Sequence, residues 1–125
     1  DDPRGDDGLL TSAEIARLDL RGVEWVVLAA CDSGVGPVRA GEGVLGIRRA
    51  FQVAGAGTLI LSLGPVSDQA ASTWVRHLYR GRLAGLATVE AVREASLGTI
   101  QALRNAGAVP HPYYWGSFVA VGDWH

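Results

Sequence analysis

At 125 residues and 48% hydrophobic, the chain is the size of one apolar-rich domain and too short for two. A net charge of −2, with 11 scattered basic residues that are all arginine, leaves no basic face for nucleic acid. A single cysteine excludes an intrachain disulfide, and no apolar run approaches the roughly 18 residues of a membrane span, so a cytoplasmic protein without membrane contact is expected.

Residues 1–9 are acidic, lack the layout of a signal peptide and read as a linker or loop end. The chain has no initiating Met, so a longer parent is expected, with 10–125 as one structural unit. Thr11 and Glu14 have capping-box spacing, and Leu10 is positioned to staple onto Ile15, which predicts a short helix to about Leu18. Asp19 to Gly22 is a turn. Val23 to Ala30 is continuously apolar and β-branched after Glu24, as expected of a strand buried on both faces of a parallel sheet. Cys31-Asp32-Ser33-Gly34-Val35-Gly36-Pro37 is turn chemistry.

A helix is predicted from about Glu42 to Ala54, with Val44, Ile47, Phe51 and Ala54 inward and Arg48, Arg49 and Gln52 outward. Thr58 to Leu63 is a second buried strand. The loop Gly64-Pro65-Val66-Ser67 leads to a helix with Asp68 near its start and Ala71, Trp74, Val75 and Leu78 on its core face; Gly81 to Gly85 should break it. A further helix spans about Thr88 to Arg104. Pro110-His111-Pro112 is extended, because residues before proline avoid the helical region. Gly116 to Gly122 is a last apolar strand. The alternation of strands and helices predicts an α/β fold with a parallel sheet between helices.

Chemistry in open α/β sheets gathers beyond the carboxyl ends of the strands. Cys31 follows the first strand and the Ser62–Asp68 stretch leaves the second, so one edge offers a thiol and a wall beside it. A thiol is a strong nucleophile once a base or a lowered pKa makes it thiolate. The Gly34/Gly36 turn would hold it outward and bring backbone N–H groups, including that of Cys31, toward an oxyanion. On position alone, a lone cysteine ending a strand is also an ordinary small buried hydrophobe.

Leu28-Ala29-Ala30-Cys31-Asp32-Ser33-Gly34-Val35-Gly36 resembles the nucleophile motif of the CHAT domain, read as a bacterial branch of the caspase and separase superfamily. The resemblance continues through Arg39 to Phe51, Leu61 to Asp68, His111 to Trp115 and Phe118 to Gly122, and Leu9 to Ile15 is similar to the family's lead-in. It implies a three-layer α/β/α caspase-like sandwich with a mostly parallel sheet, of which this chain supplies the later strands and helices. It also implies a cysteine endopeptidase with a His–Cys dyad in which Cys31 is the nucleophile. The family's histidine sits in an H-G motif on an earlier strand. His77, His111 and His125 do not match it, so an N-terminal half of the same domain is the expected partner and this chain alone should be inactive.

Gly64 stands where the family usually has Trp in the loop that lines the substrate pocket, and Ser67 replaces a commonly acidic position. Substrate-binding candidates are Asp32, Ser62, Gly64 and Asp68. Asp32 either caps its turn or binds a basic side chain, while Asp68 reads more simply as a helix cap. The resemblance implies a protein or peptide substrate and an upstream helical-repeat sensor. Nothing in the residues calls for a metal or cofactor. Gly41-Glu42-Gly43-Val44-Leu45-Gly46 matches G-x-G-x-x-G, but it stands far from the strand end and its Glu would repel phosphate, which argues against a dinucleotide. The competing function is a non-catalytic interaction module built on the same fold.

Overall fold

Thr11 opens the first helix through a complete capping box: its side chain accepts from Glu14 N–H, and the Glu14 carboxylate accepts from Thr11 N–H at 2.7 Å. In this computed structural model, which describes residues 10–28, 44–62 and 66–122, that helix is α1 (Ser12–Ala16). Ile15 is buried, but Leu10 stays 64% exposed, so the anticipated staple contributes little. The other described elements are β1 (Trp25–Leu28), α2 (Val44–Ala54), β2 (Thr58–Ser62), α3 (Asp68–Leu83), α4 (Thr88–Asn105), a 3₁₀ turn at Pro112–Tyr114, and β3 (Phe118–Gly122). Their order is the one the periodicities predict.

The described strands form a sheet in the order β1-β2-β3. β1 runs parallel to β2, with Trp25 opposite Thr58 and Leu28 opposite Leu61. β3 runs antiparallel to β2, with Ser62 opposite Phe118 and Thr58 opposite Gly122. The sheet is therefore mixed, which corrects the expectation of a parallel one. An apolar run sets burial and leaves direction open; the long return through 106–117 brings the chain back at the carboxyl end of β2 and sends β3 the other way.

Side chains alternate across the sheet, as strand geometry requires. Ile60, Phe118, Trp25 and Val27 belong to one cluster, with Trp74 and Leu78 of α3 and Ala91 and Ala95 of α4. Leu59, Leu61, Val26 and Val121 belong to the other, with Ile15 of α1 and Ala50 and Phe51 of α2. β2 is buried at four of its five positions because it has neighbours on both sides. β1 is only half-buried throughout, against the expectation, since it pairs with β2 alone among the described strands.

Two local readings need correction. Gly81 does not break α3: it is a buried helical residue, and a Cβ there would lie 3.3 Å from the Ala91 backbone. Its missing side chain lets α4 approach, and the break comes at Gly85, whose φ of +87° suits glycine. Arg48 is half-buried instead of turned outward, and its Nε is buried with no hydrogen-bond partner.

Candidate functional site

Parallel pairing puts the ends of β1 and β2, at Leu28 and Ser62, on one edge of the sheet, and antiparallel pairing brings the start of β3, Phe118, to the same edge. The chain therefore leaves β1 and β2 from that edge and enters β3 there. Of the candidate residues, Ser62 and Asp68 are described; Cys31, Asp32 and Gly64 lie outside the described residues, as does His125.

Ser62 is half-buried at the last paired position of β2. Beyond it α3 begins, and its N-cap is Ser67, whose hydroxyl accepts from Ala70 N–H at 3.2 Å. That corrects the reading of Asp68 as the cap: Asp68 occupies the first helical position and is exposed. Its charge there still complements the positive end of the helix dipole.

A set of aromatic residues braces this edge. Trp74 is fully buried and stacks on Phe118, with centroids 4.1 Å apart and planes 10° apart. Its Nε1–H donates to Ser96 Oγ at 3.2 Å, and the Ser96 hydroxyl reaches the Trp115 carbonyl at 3.5 Å. Trp115 in turn donates from Nε1 to the Pro110 carbonyl at 3.1 Å, closing the 110–115 segment on itself. α3, α4 and the lead-in to β3 are tied together at the edge where the candidate chemistry lies. Sequence reasoning found Trp74 as a core residue but missed this chain of bonds, because Ser96 on a helix carries no signal of its distant partners.

Neither described histidine is set up as a base for the carboxyl edge. His111 caps the 3₁₀ turn, its Nδ1 accepting from Tyr113 N–H at 3.1 Å. His77 lies half-buried on α3 against Gly98 of α4. Its pKa is lowered by burial first and then by the guanidinium charges of Arg80 and Arg76. A cavity of about 380 Å³ lies at the opposite, amino edge of the sheet among Gly22, Trp25, Gly57 and Thr58. There Trp25 Nε1–H donates to Thr88 Oγ1 at 3.0 Å, and Arg82 lies over the Trp25 ring while ion-pairing with Glu24. That network pins α3 and α4 to β1.

Among the described residues no cluster of His, Cys, Asp and Glu suits a metal ion, and no helix is long and apolar enough to cross a membrane.

The arrangement defines a mixed α/β domain in which β1 and β2 end, and β3 begins, at one edge of the sheet. The model of the CHAT domain family matches residues 1–123, and the chain belongs to that family, which is related to the caspase-like peptidases. It is 33% identical over 115 residues to human tetratricopeptide repeat protein 28 and 34% identical over 116 residues to the mouse protein of that name. Each alignment covers 92% of this chain and 4% of the relative, so the chain spans a small part of the proteins it matches. Both relatives are mammalian, and the match lends no support to a bacterial source. No solved structure matches significantly.

Proposed function

We propose that the chain is the nucleophile-bearing C-terminal half of a caspase-like cysteine endopeptidase domain. In this reading the described sheet and helices are part of a three-layer α/β/α sandwich, and a preceding half of the domain adds strands beside β1. That half carries the histidine, which takes the Cys31 proton. The thiolate attacks a peptide carbonyl carbon, backbone N–H groups around Cys31 hold the oxyanion, and the amine leaves with a proton from the histidine. Water then releases the acyl group and regenerates the thiol.

The observation that carries the reading is the CHAT-family match across the whole of the Cys31 motif. The topology supports it, since the motif begins where β1 ends, at the edge shared with the loop after β2. Ser62, Asp32, Gly64 and Asp68 are the proposed wall of the substrate site, and an upstream helical-repeat segment and a cytoplasmic location complete the proposal.

The test is cleavage of a peptide library by the intact parent protein and its Cys31→Ala variant. The expected result is cleavage that falls by several orders of magnitude in the variant. Equal cleavage by both would remove Cys31 from the mechanism. A non-catalytic docking module is the second reading, favoured by relatives named for tetratricopeptide repeats. It predicts no cleavage by either protein and binding that is indifferent to Cys31→Ala.

A further inference from the structure

α3 starts at the carboxyl edge and α4 returns to it, because the two helices pack as a hairpin around Trp74, Leu78, Ala91 and Ala95. Their ends at that edge do not close on each other. Between Ser67 at the start of α3, Ala106 just past the end of α4, and Tyr114 in the lead-in to β3 lies a cavity of about 270 Å³. Its lining mixes apolar Ala102 and Leu103 with polar but uncharged Ser67, Gln69, Thr73, Thr99 and Tyr114. A mainly apolar cavity with a few uncharged polar residues is the composition of a ligand site. At this size it is below the roughly 300–1,000 Å³ of cofactor and drug sites, and it suits one or two side chains of a peptide.

We propose that this cavity is a subsite for an uncharged, apolar side chain of the peptide substrate; the assignment rests on the peptidase reading given above. Charge argues for that occupant. α3 and α4 carry Arg76, Arg80, Arg93, Glu94 and Arg104, yet no charged side chain is among the described residues that line the cavity. A carboxylate or guanidinium entering it would lose water without gaining a counter-ion. Beside Ala108 at its border, Val109 is 76% exposed and extends the apolar surface outward.

Position argues the same way. The cavity is bordered by the first residues after the loop that follows β2 and by the segment that precedes β3, and both belong to the edge where the Cys31 segment leaves β1. One or two strand spacings of about 4.8 Å, and a helix layer stacked about 10 Å from the sheet, separate it from the end of β1. An extended peptide rising about 3.3 Å per residue covers that span in about three to four residues. The recognised side chain is therefore about three to four positions from the bond that is cut.

The test uses the intact parent protein with Cys31→Ala, which captures substrate without turnover. A random heptapeptide display library is selected on it, and the enriched peptide is labelled for anisotropy titration. One apolar position should dominate the enrichment, and replacing that residue of the peptide by Asp should weaken binding at least tenfold. Ala102→Phe, which adds a ring at a lining position of the cavity, should do the same to the unmodified peptide. Ala106→Phe at the exposed rim serves if the first variant does not fold, with an unchanged melting temperature as its control. The inference is overturned if no apolar position is enriched, if the Asp peptide binds as well, or if the folded, filled variant binds with unchanged affinity. Digestion of the same peptide by the protein with Cys31 intact separates the two proposals. Cavity-dependent binding without cleavage leaves the cavity a peptide-binding site, overturns it as a substrate subsite and ends the peptidase reading; cleavage indifferent to the filled cavity keeps the peptidase and overturns the subsite.

Discussion

His77 and Gly98 meet across the packing of α3 on α4, and a Cβ added at Gly98 would come within 2.6 Å of the His77 ring. A helical glycine ordinarily costs about 1 kcal/mol relative to alanine, so Gly98→Ala would stabilise an isolated helix. Here the imidazole occupies the space, and the clash should win: Gly98→Ala is expected to destabilise by about 1–3 kcal/mol in urea unfolding. The double variant with His77→Ala should recover most of that loss, which separates a steric clash from a backbone effect. The same histidine gives a pH signature. Its folded-state pKa is lowered, by burial and then by Arg80 and Arg76, so the unfolded chain binds the proton more readily. Its contribution to stability is full above its ordinary pKa near 6.5 and is lost as the pH falls below it. Stability measured between pH 7.5 and 5 should decline less steeply in His77→Gln, and an unchanged slope would reassign the proton uptake to other groups.

At the scale of the element, α3 is held at its start by Ser67 and at its middle by Trp74. Ser67→Ala removes the side chain that caps the helix and should cost about 1 kcal/mol. Asp68→Ala should cost less, since only a dipole interaction at an exposed position is lost. Trp74→Ala should cost about 3–5 kcal/mol by calorimetry, as it empties a buried site stacked on Phe118. How far such elements are legible in sequence depends on how local their causes are. The α1 capping box was readable because Thr11 and Glu14 satisfy each other within one turn. The three long helices, α2, α3 and α4, were readable from their periods. The direction of β3 was not, since strand pairing depends on residues far along the chain, and Gly81 misled because its role is contact with Ala91 and not flexibility. The candidate site follows the same division. Its expected place after β1 is read from strand order, whereas the Trp74–Ser96–Trp115 bracing is a tertiary fact with no local trace.

Among the described residues the sheet has an apolar cluster on each face and β1 at one edge. α1 and α2 supply one cluster, α3 and α4 the other, and β2 between them has a strand on each flank. β1 carries the apolar sequence of an interior strand yet pairs on one flank only among the described residues, so every one of its four side chains is half-exposed. Arrays of unpaired backbone groups on an apolar edge are what another strand covers. In the proposed half-domain reading that strand comes from the preceding part of the parent protein, on the side from which the histidine must reach Cys31. Hydrogen exchange distinguishes the cases. Along Trp25–Leu28, successive amides of a parallel strand point alternately toward β2 and away from it. In the 125-residue chain alone, the amides that point away should exchange quickly while their neighbours are protected. In the intact parent all of them should be slow, because an added strand accepts from the outward set. The same alternating pattern in both proteins would mean that nothing pairs with this edge. The histidine would then lack a neighbouring strand to carry it, and the catalytic reading would lose its geometry even though Cys31 remained.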